Sequence, residues 1–159
     1  MKLLNFGSCN IDYVYLMDHI VQTGETESVG EMRIFPGGKG LNQSIAVSRA
    51  GATVYHAGTI GEDGAMLSEL FVENNVHVEF LRKINEKTGH AIIQVSNSAE
   101  NAILVYSGAN GCIEKDYIDW VLEKFSEEDF LLLQNEISNV EYIKKHRSFG
   151  GRYHRDGRL

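Results

Sequence analysis

The chain of 159 residues has one proline, one tryptophan and two cysteines. Two cysteines, Cys9 and Cys112, cannot staple a small secreted scaffold, and their separation fits no metal-ligand spacing. They read as a reduced pair of small buried hydrophobes. One proline beside 16 glycines is within the ordinary composition of a globular protein. No apolar run approaches the length of a membrane span, and the chain opens directly into a strand-like run without a signal-peptide pattern. No membrane partner is expected, and the cytoplasm is the expected location. Positive charge is scarce too: 15 Lys+Arg against 22 Asp+Glu leave a net charge of −7, which argues against nucleic acid as a partner. That scarcity is uneven. Residues 1–146 carry 11 Lys+Arg against 21 Asp+Glu, a net of −10, whereas residues 147–159 carry four arginines against Asp156 alone, a net of +3.

What remains is ordinary for a globular domain: 43% hydrophobic and 23% charged residues, enough for one sizeable core. Against that background the string Phe35-Pro36-Gly37-Gly38-Lys39-Gly40-Leu41-Asn42-Gln43-Ser44 stands out. Its glycines allow positive φ and close approach to a ligand. A helix starting just after them is expected to aim free N–H groups at whatever binds, with a lysine charge and an asparagine amide at the same mouth. The string is not a P-loop, for which its glycine spacing and missing hydroxyl are wrong, and no G-x-G-x-x-G follows the first strand as a dinucleotide site would require.

Lys2 to Phe6 reads as a first strand closed by Gly7-Ser8. Asn10 and Asp12 follow at i, i+2, on one side of an extended segment just past that strand, where open α/β sheets bind ligands. Thr26–Val29 and Glu31–Phe35 read as a small strand pair. A helix over about 40–50 stops at Gly51, a strand covers Val54–Ile60, and a helix over about 65–75 leads to a strand over Val76–Leu81. His90–Val95 and Ala102–Tyr106 break the α/β rhythm and read as a hairpin. Tyr117, Ile118, Val121, Leu122 and Phe125 form the apolar stripe of a further helix. Phe130–Leu133 is a continuous apolar run, as in a strand covered on both faces, with Gln134-Asn135-Glu136 at its end. A helix starts near Asn139. After Lys145 no helical or strand period continues, so residues 146–159 read as a basic tail foreign to the preceding fold.

Residues 1 to about 145 resemble the N-terminal half of a ribokinase-family (PfkB-type) sugar kinase. The family signature is a glycine pair, a small residue, any residue, an asparagine and two glycines further on. Gly37-Gly38-Lys39-Gly40-Leu41-Asn42, then Gly51 and Gly61, fill it. Gly7-Ser8-Cys9-Asn10-Ile11-Asp12 resembles the family's sugar-contacting segment, and Gly61-Glu62-Asp63-Gly64 and Gly108-Ala109-Asn110 fall at family-like places. The resemblance implies the N-terminal part of a ribokinase-like α/β doubly wound sheet with a small β-lid formed by strands at about 26–35 and 90–106. It implies an ATP-dependent kinase that converts D-ribose to ribose 5-phosphate, with Mg²⁺. It also assigns sugar contacts: Asn10 and Asp12 to ring hydroxyls, Gly38 through its backbone, Lys39 and Asn42 to further hydroxyls, and Glu136 closing the site. A pentose suits such a set, because its ring of hydroxyls calls for carboxylates, amides and a cation converging from several strand ends. The lid implies pairing with a second subunit.

The family's Gly-Ala-Gly-Asp motif, which supplies the anion hole and the catalytic base, does not occur in this sequence. The formal Asn-x-x-Glu match, Asn97-Ser98-Ala99-Glu100, falls in the hairpin turn, the wrong context for Mg²⁺ or phosphate. The chain is therefore expected to be the sugar-binding half without catalytic residues or a nucleotide pocket, and inactive alone. Two alternatives stand beside this: a non-catalytic sugar-binding or lid-pairing module, and a kinase for another sugar or sugar phosphate.

Overall fold

The computed structural model describes residues 2–146 and the backbone of Tyr153–Arg155. The rest of the basic tail, 147–152 and 156–159, lies outside the described residues. The chain builds two sheets. The larger contains β1 (Leu3–Phe6), β4 (Val54–Ile60), β5 (His77–Lys83), β8 (Phe130–Leu133) and β9 (Tyr153–Arg155), all parallel, in the order β5-β4-β1-β8-β9. The smaller contains β2 (Asn10–Met17), β3 (Glu31–Gly37), β6 (Gly89–Ser96) and β7 (Asn101–Tyr106) in the order β3-β2-β6-β7. Its β2–β3 and β6–β7 pairs are antiparallel, and β2 runs parallel to β6.

Helices cover both faces of the larger sheet, because each β–α–β crossover must bury an apolar helix stripe against it. On one face α1 (Lys39–Arg49) and α2 (Ala65–Glu73) pack Leu41, Ile45, Leu67 and Phe71 against Val54 and Ile60. On the other, α3 (Lys115–Leu122) and α4 (Val140–His146) pack Ile118, Val121 and Ile143 against Leu4, Phe6, Leu131 and Leu133. This is a doubly wound α/β fold with a small lid sheet, as the resemblance implies.

Three expectations need correction. Thr26–Val29 is not a strand; residues 18–30 form a loop, tied by Glu25 to His19 Nε2 at 2.8 Å and to the Gln22 amide at 2.9 Å. The true partner of β3 is β2, whose Tyr13-Val14-Tyr15 run is rich in β-branched and aromatic residues. The cysteines also differ from each other: Cys9 is buried, whereas Cys112 is exposed. Finally, Tyr153–Arg155 lies in a stretch without strand period, yet its backbone extends the sheet along the edge of β8.

Candidate functional site

Polar side chains gather where β1, β3 and β8 end. The turn Gly7-Ser8-Cys9 carries the chain from β1 into β2, placing Asn10 and Asp12 in the first three residues of that lid strand. Gly37 ends β3, and Gly38 sits at φ +95°, where a Cβ would lie 2.8 Å from the Ser8 carbonyl oxygen. Only glycine fits that left-handed corner against the backbone of the facing turn. Glu136 follows β8 by three residues.

Glu136 is the hub. One carboxylate oxygen accepts hydrogen bonds from Ser8 Oγ at 2.8 Å and the Lys39 amide at 3.2 Å; the other pairs with Lys39 Nζ. Burial alone would raise the Glu136 carboxyl, but bonds from the Lys39 ammonium, Ser8 and the Lys39 amide outweigh it and hold it below the ordinary carboxylate range. Asp12 behaves oppositely. Half-burial raises it, and the neighbouring Glu136 charge adds to the shift. No described residue donates a hydrogen bond to its carboxylate. That carboxylate presses on Gly37, where a Cβ would stand 2.2 Å from Asp12 Oδ2. A half-buried carboxylate without a protein donor is an acceptor ready for an external hydroxyl.

The start of α1 corrects a further expectation. Its first N–H groups are not free for a ligand: Lys39 N donates to Glu136, Gly40 N to Ser8 Oγ at 3.3 Å, and Leu41 N to the Ser8 carbonyl at 2.9 Å. The helix end is therefore spent on holding the turn and Glu136 together. Asn42 stands on the same helix face as Lys39, three residues on, and is exposed, with no bond tying it to the cluster among the described residues.

Asn10 is positioned by Asn110, which local sequence reasoning did not single out. The Asn110 amide is buried; Nδ2 donates to Asn10 Oδ1 at 2.8 Å and to the Cys9 carbonyl at 3.1 Å, while Oδ1 accepts from the Cys9 amide at 3.0 Å. It thus imitates a strand neighbour for the turn. Its only signal in the sequence was its place in the Gly108-Ala109-Asn110-Gly111 punctuation, 100 residues from Asn10. Ser8 was missed as well, for it reads as turn punctuation.

The lid strands set what surrounds Asp12. Its direct cross-strand neighbours are Phe35 on β3 and Ala91 on β6, and Ala91 faces Val105 on β7. These four share one face of the lid. Asn97 and Glu100 lie apart in the β6–β7 turn, where Asn97 donates to Asp18 Oδ1 at 2.7 Å. Among the described residues one group of side chains could hold a metal ion, His19, Glu25 and Glu27. It lies in the β2–β3 loop, and both imidazole nitrogens already face carboxylates.

Polar groups at the ends of a parallel sheet, with a separate small sheet beside them, stand where proteins of the open α/β class bind small molecules. The chain belongs to the pfkB family of carbohydrate kinases, whose model matches residues 1–146. Ribokinase of Haemophilus influenzae is 34% identical over 140 residues, covering 85% of this chain and 46% of that protein. Among solved structures, ribokinase of Thermotoga maritima superposes with a TM-score of 0.85 at 33% identity, over 97% of this chain and 52% of that one. Arabidopsis thaliana ribokinase, solved with ribose and ATP, gives 0.74 at 28% identity over 91% and 50%. The chain spans about half the length of the relatives it matches.

Proposed function

We propose that this chain is the sugar-binding half of an ATP-dependent kinase that converts D-ribose to ribose 5-phosphate. The observation that carries the reading is the Ser8–Lys39–Glu136 cluster beside the unbonded Asp12 carboxylate. In this reading Asp12 accepts from two ring hydroxyls. Lys39, with its charge balanced by Glu136, donates to another. Asn10 and the Gly38 backbone fix the ring edge, Asn42 reaches an outer hydroxyl, and Glu136 closes the far side. Support comes from relatives named ribokinase and from the Arabidopsis protein solved with ribose and ATP.

The residues present do not fit a nucleotide and its Mg²⁺. The α1 amides are taken, no Gly-Ala-Gly-Asp stretch exists, and the only metal-capable group among the described residues sits in the lid loop. The chain's own contribution is therefore binding, orientation and exclusion of water from the sugar. Removal of the sugar proton and phosphoryl transfer fall to residues it does not contain.

Titration calorimetry of the 159-residue chain with D-ribose, beside D-fructose and a hexose phosphate, tests this. Ribose is expected to bind preferentially, and Asp12→Asn to weaken it about 10- to 100-fold, since a hydrogen bond to a charged group contributes about 1.5–3 kcal/mol. Equal affinity in Asp12→Asn sinks the site. Preference for a hexose phosphate moves the substrate. Ribose-dependent ADP formation by the chain alone overturns the half-enzyme reading.

A further inference from the structure

A cleft of about 520 Å³ opens between β5 and α3, and it shares no residue with the sugar cluster. A register shift between β4 and β5 creates it. Tyr55 pairs with His77, but Ala57 pairs with Phe80, so β5 spends three residues where β4 spends two. The extra residue turns Phe80, and with it Arg82, toward α3, as bulges at sheet edges commonly re-aim side chains.

Three aromatic rings form the wall. Phe80 meets Trp120 edge-on at 5.5 Å between centroids, and Trp120 lies nearly parallel to Tyr117 at 6.2 Å. Trp120 is 46% exposed although it is the only tryptophan in the chain. An apolar ring left half in water, within a cavity of ligand size, marks a recognition surface more than a packing residue.

The rim is acidic. Glu79, Glu114 and Asp116 face the opening, against the single cation Arg82. Arg82 is already engaged, 3.3 Å from Glu114 and 5.7 Å from the Tyr117 ring centroid. Asp116 has no ion pair among the described residues. The cleft therefore keeps a net negative charge beside electron-rich ring faces. Arg82 over Tyr117 shows that a guanidinium sits well on this wall, and Lys124, outside the cleft, lies 6.0 Å from the Trp120 centroid. An anion would meet three carboxylates, and a neutral apolar group would leave Asp116 without an ion-pair partner, whereas Glu114 already pairs with Arg82 and Glu79 lies 3.2 Å from His77 Nδ1.

We propose that this cleft is a second binding site, for a small organic cation bearing a guanidinium or alkylammonium group. The charged head lies over Trp120 beside Asp116 and Glu79, and the alkyl stem lies against the Phe80 ring. The attraction combines cation–π contact with partly screened carboxylates, so binding weakens with added salt.

Trp120 reports on the cleft directly, because no other indole contributes to tryptophan fluorescence. The full 159-residue chain is titrated with n-butylguanidinium and, separately, with neutral n-butylurea of similar shape. Expected is a saturable change in emission with butylguanidinium only, weakened about two- to fivefold in Asp116→Asn and again in Glu79→Gln. Both substitutions are on the exposed rim and remove charge without changing size, so folding is kept. A non-saturable response, the same response to butylurea, or curves unchanged by both substitutions would each overturn the site.

Discussion

His56 lies fully buried next to Ser44 and Cys9, its ring 4.4 Å from that of Phe71. Asn5 Nδ2 donates to Ser44 Oγ at 2.8 Å, which leaves the single Ser44 hydroxyl proton for His56 Nδ1 at 2.8 Å. The ring proton is then on Nε2, toward Cys9 Sγ at 3.2 Å. Burial lowers the His56 pKa to about 3, opposed by a hydrogen bond to the Gly7 backbone. In the unfolded chain this imidazole takes up its proton near pH 6.5, whereas in the fold it stays neutral. Below pH 6.5 the unfolded state therefore binds more protons, and stability falls toward pH 3 by up to about 1.4 kcal/mol per pH unit. Urea midpoints at pH 7.5, 6 and 5 should show this decline, and His56→Gln should flatten it. Gly40 is a second test at this scale. A Cβ there would stand 2.4 Å from the Ser8 amide nitrogen and 2.5 Å from the Gly7 carbonyl carbon. Gly40→Ala must push α1 off the β1–β2 turn, disturbing the Ser8–Glu136–Lys39 contacts. A loss of about 1–3 kcal/mol in denaturant unfolding is expected, with weaker ribose binding in calorimetry.

Among the elements, those built on a single period were legible in the sequence. The α3 stripe is buried at Tyr117, Ile118, Val121 and Leu122, and β4 and β8 have the bounds that their apolar runs suggested. Legibility failed where partners are distant. Asn10–Met17 could be read as an extended segment, but its pairing with both β3 and β6 depends on residues 15 to 79 positions away. The same holds for Asn110 and for the saturation of the α1 N–H groups by Ser8 and Glu136. The β4–β5 bulge is another tertiary feature, and Tyr117 closes it. Its buried hydroxyl accepts from the Gly58 amide at 3.1 Å and lies against the carbonyls of Gly58 and Phe80. Tyr117→Phe keeps the ring but strands these backbone groups. The expected cost is about 1–3 kcal/mol, with faster hydrogen exchange at the Gly58 amide than at the β1–β4 pairs. Unchanged Gly58 exchange would show that the ladder does not need the hydroxyl.

At the scale of the whole molecule, the apolar surface is concentrated in one place. Of the ten large hydrophobic residues exposed by more than a third among the described residues, eight lie on the lid strands: Met32, Ile34, Phe35, Ile92, Ile103, Leu104, Val105 and Tyr106. A four-stranded sheet that leaves so many in water invites a partner. The alternation along β7 puts Val105 on the Asp12 face and Leu104 on the opposite face. Pairing of two lids through the Asp12 face would shield Phe35 and Val105 and remove water from around Asp12 and the proposed sugar site at the same time. Pairing through the other face would shield Met32, Ile34, Ile92, Leu104 and Tyr106 but leave the Asp12 side in water. The homodimer we propose therefore uses the Asp12 face. Sedimentation equilibrium should give twice the chain mass for the unmodified protein. Val105→Lys should shift it toward the single chain, whereas Leu104→Lys should leave the dimer in place. A monomeric unmodified chain would remove the pairing altogether, and a dimer lost in Leu104→Lys but kept in Val105→Lys would assign it to the outer face, leaving the sugar cluster open to solvent.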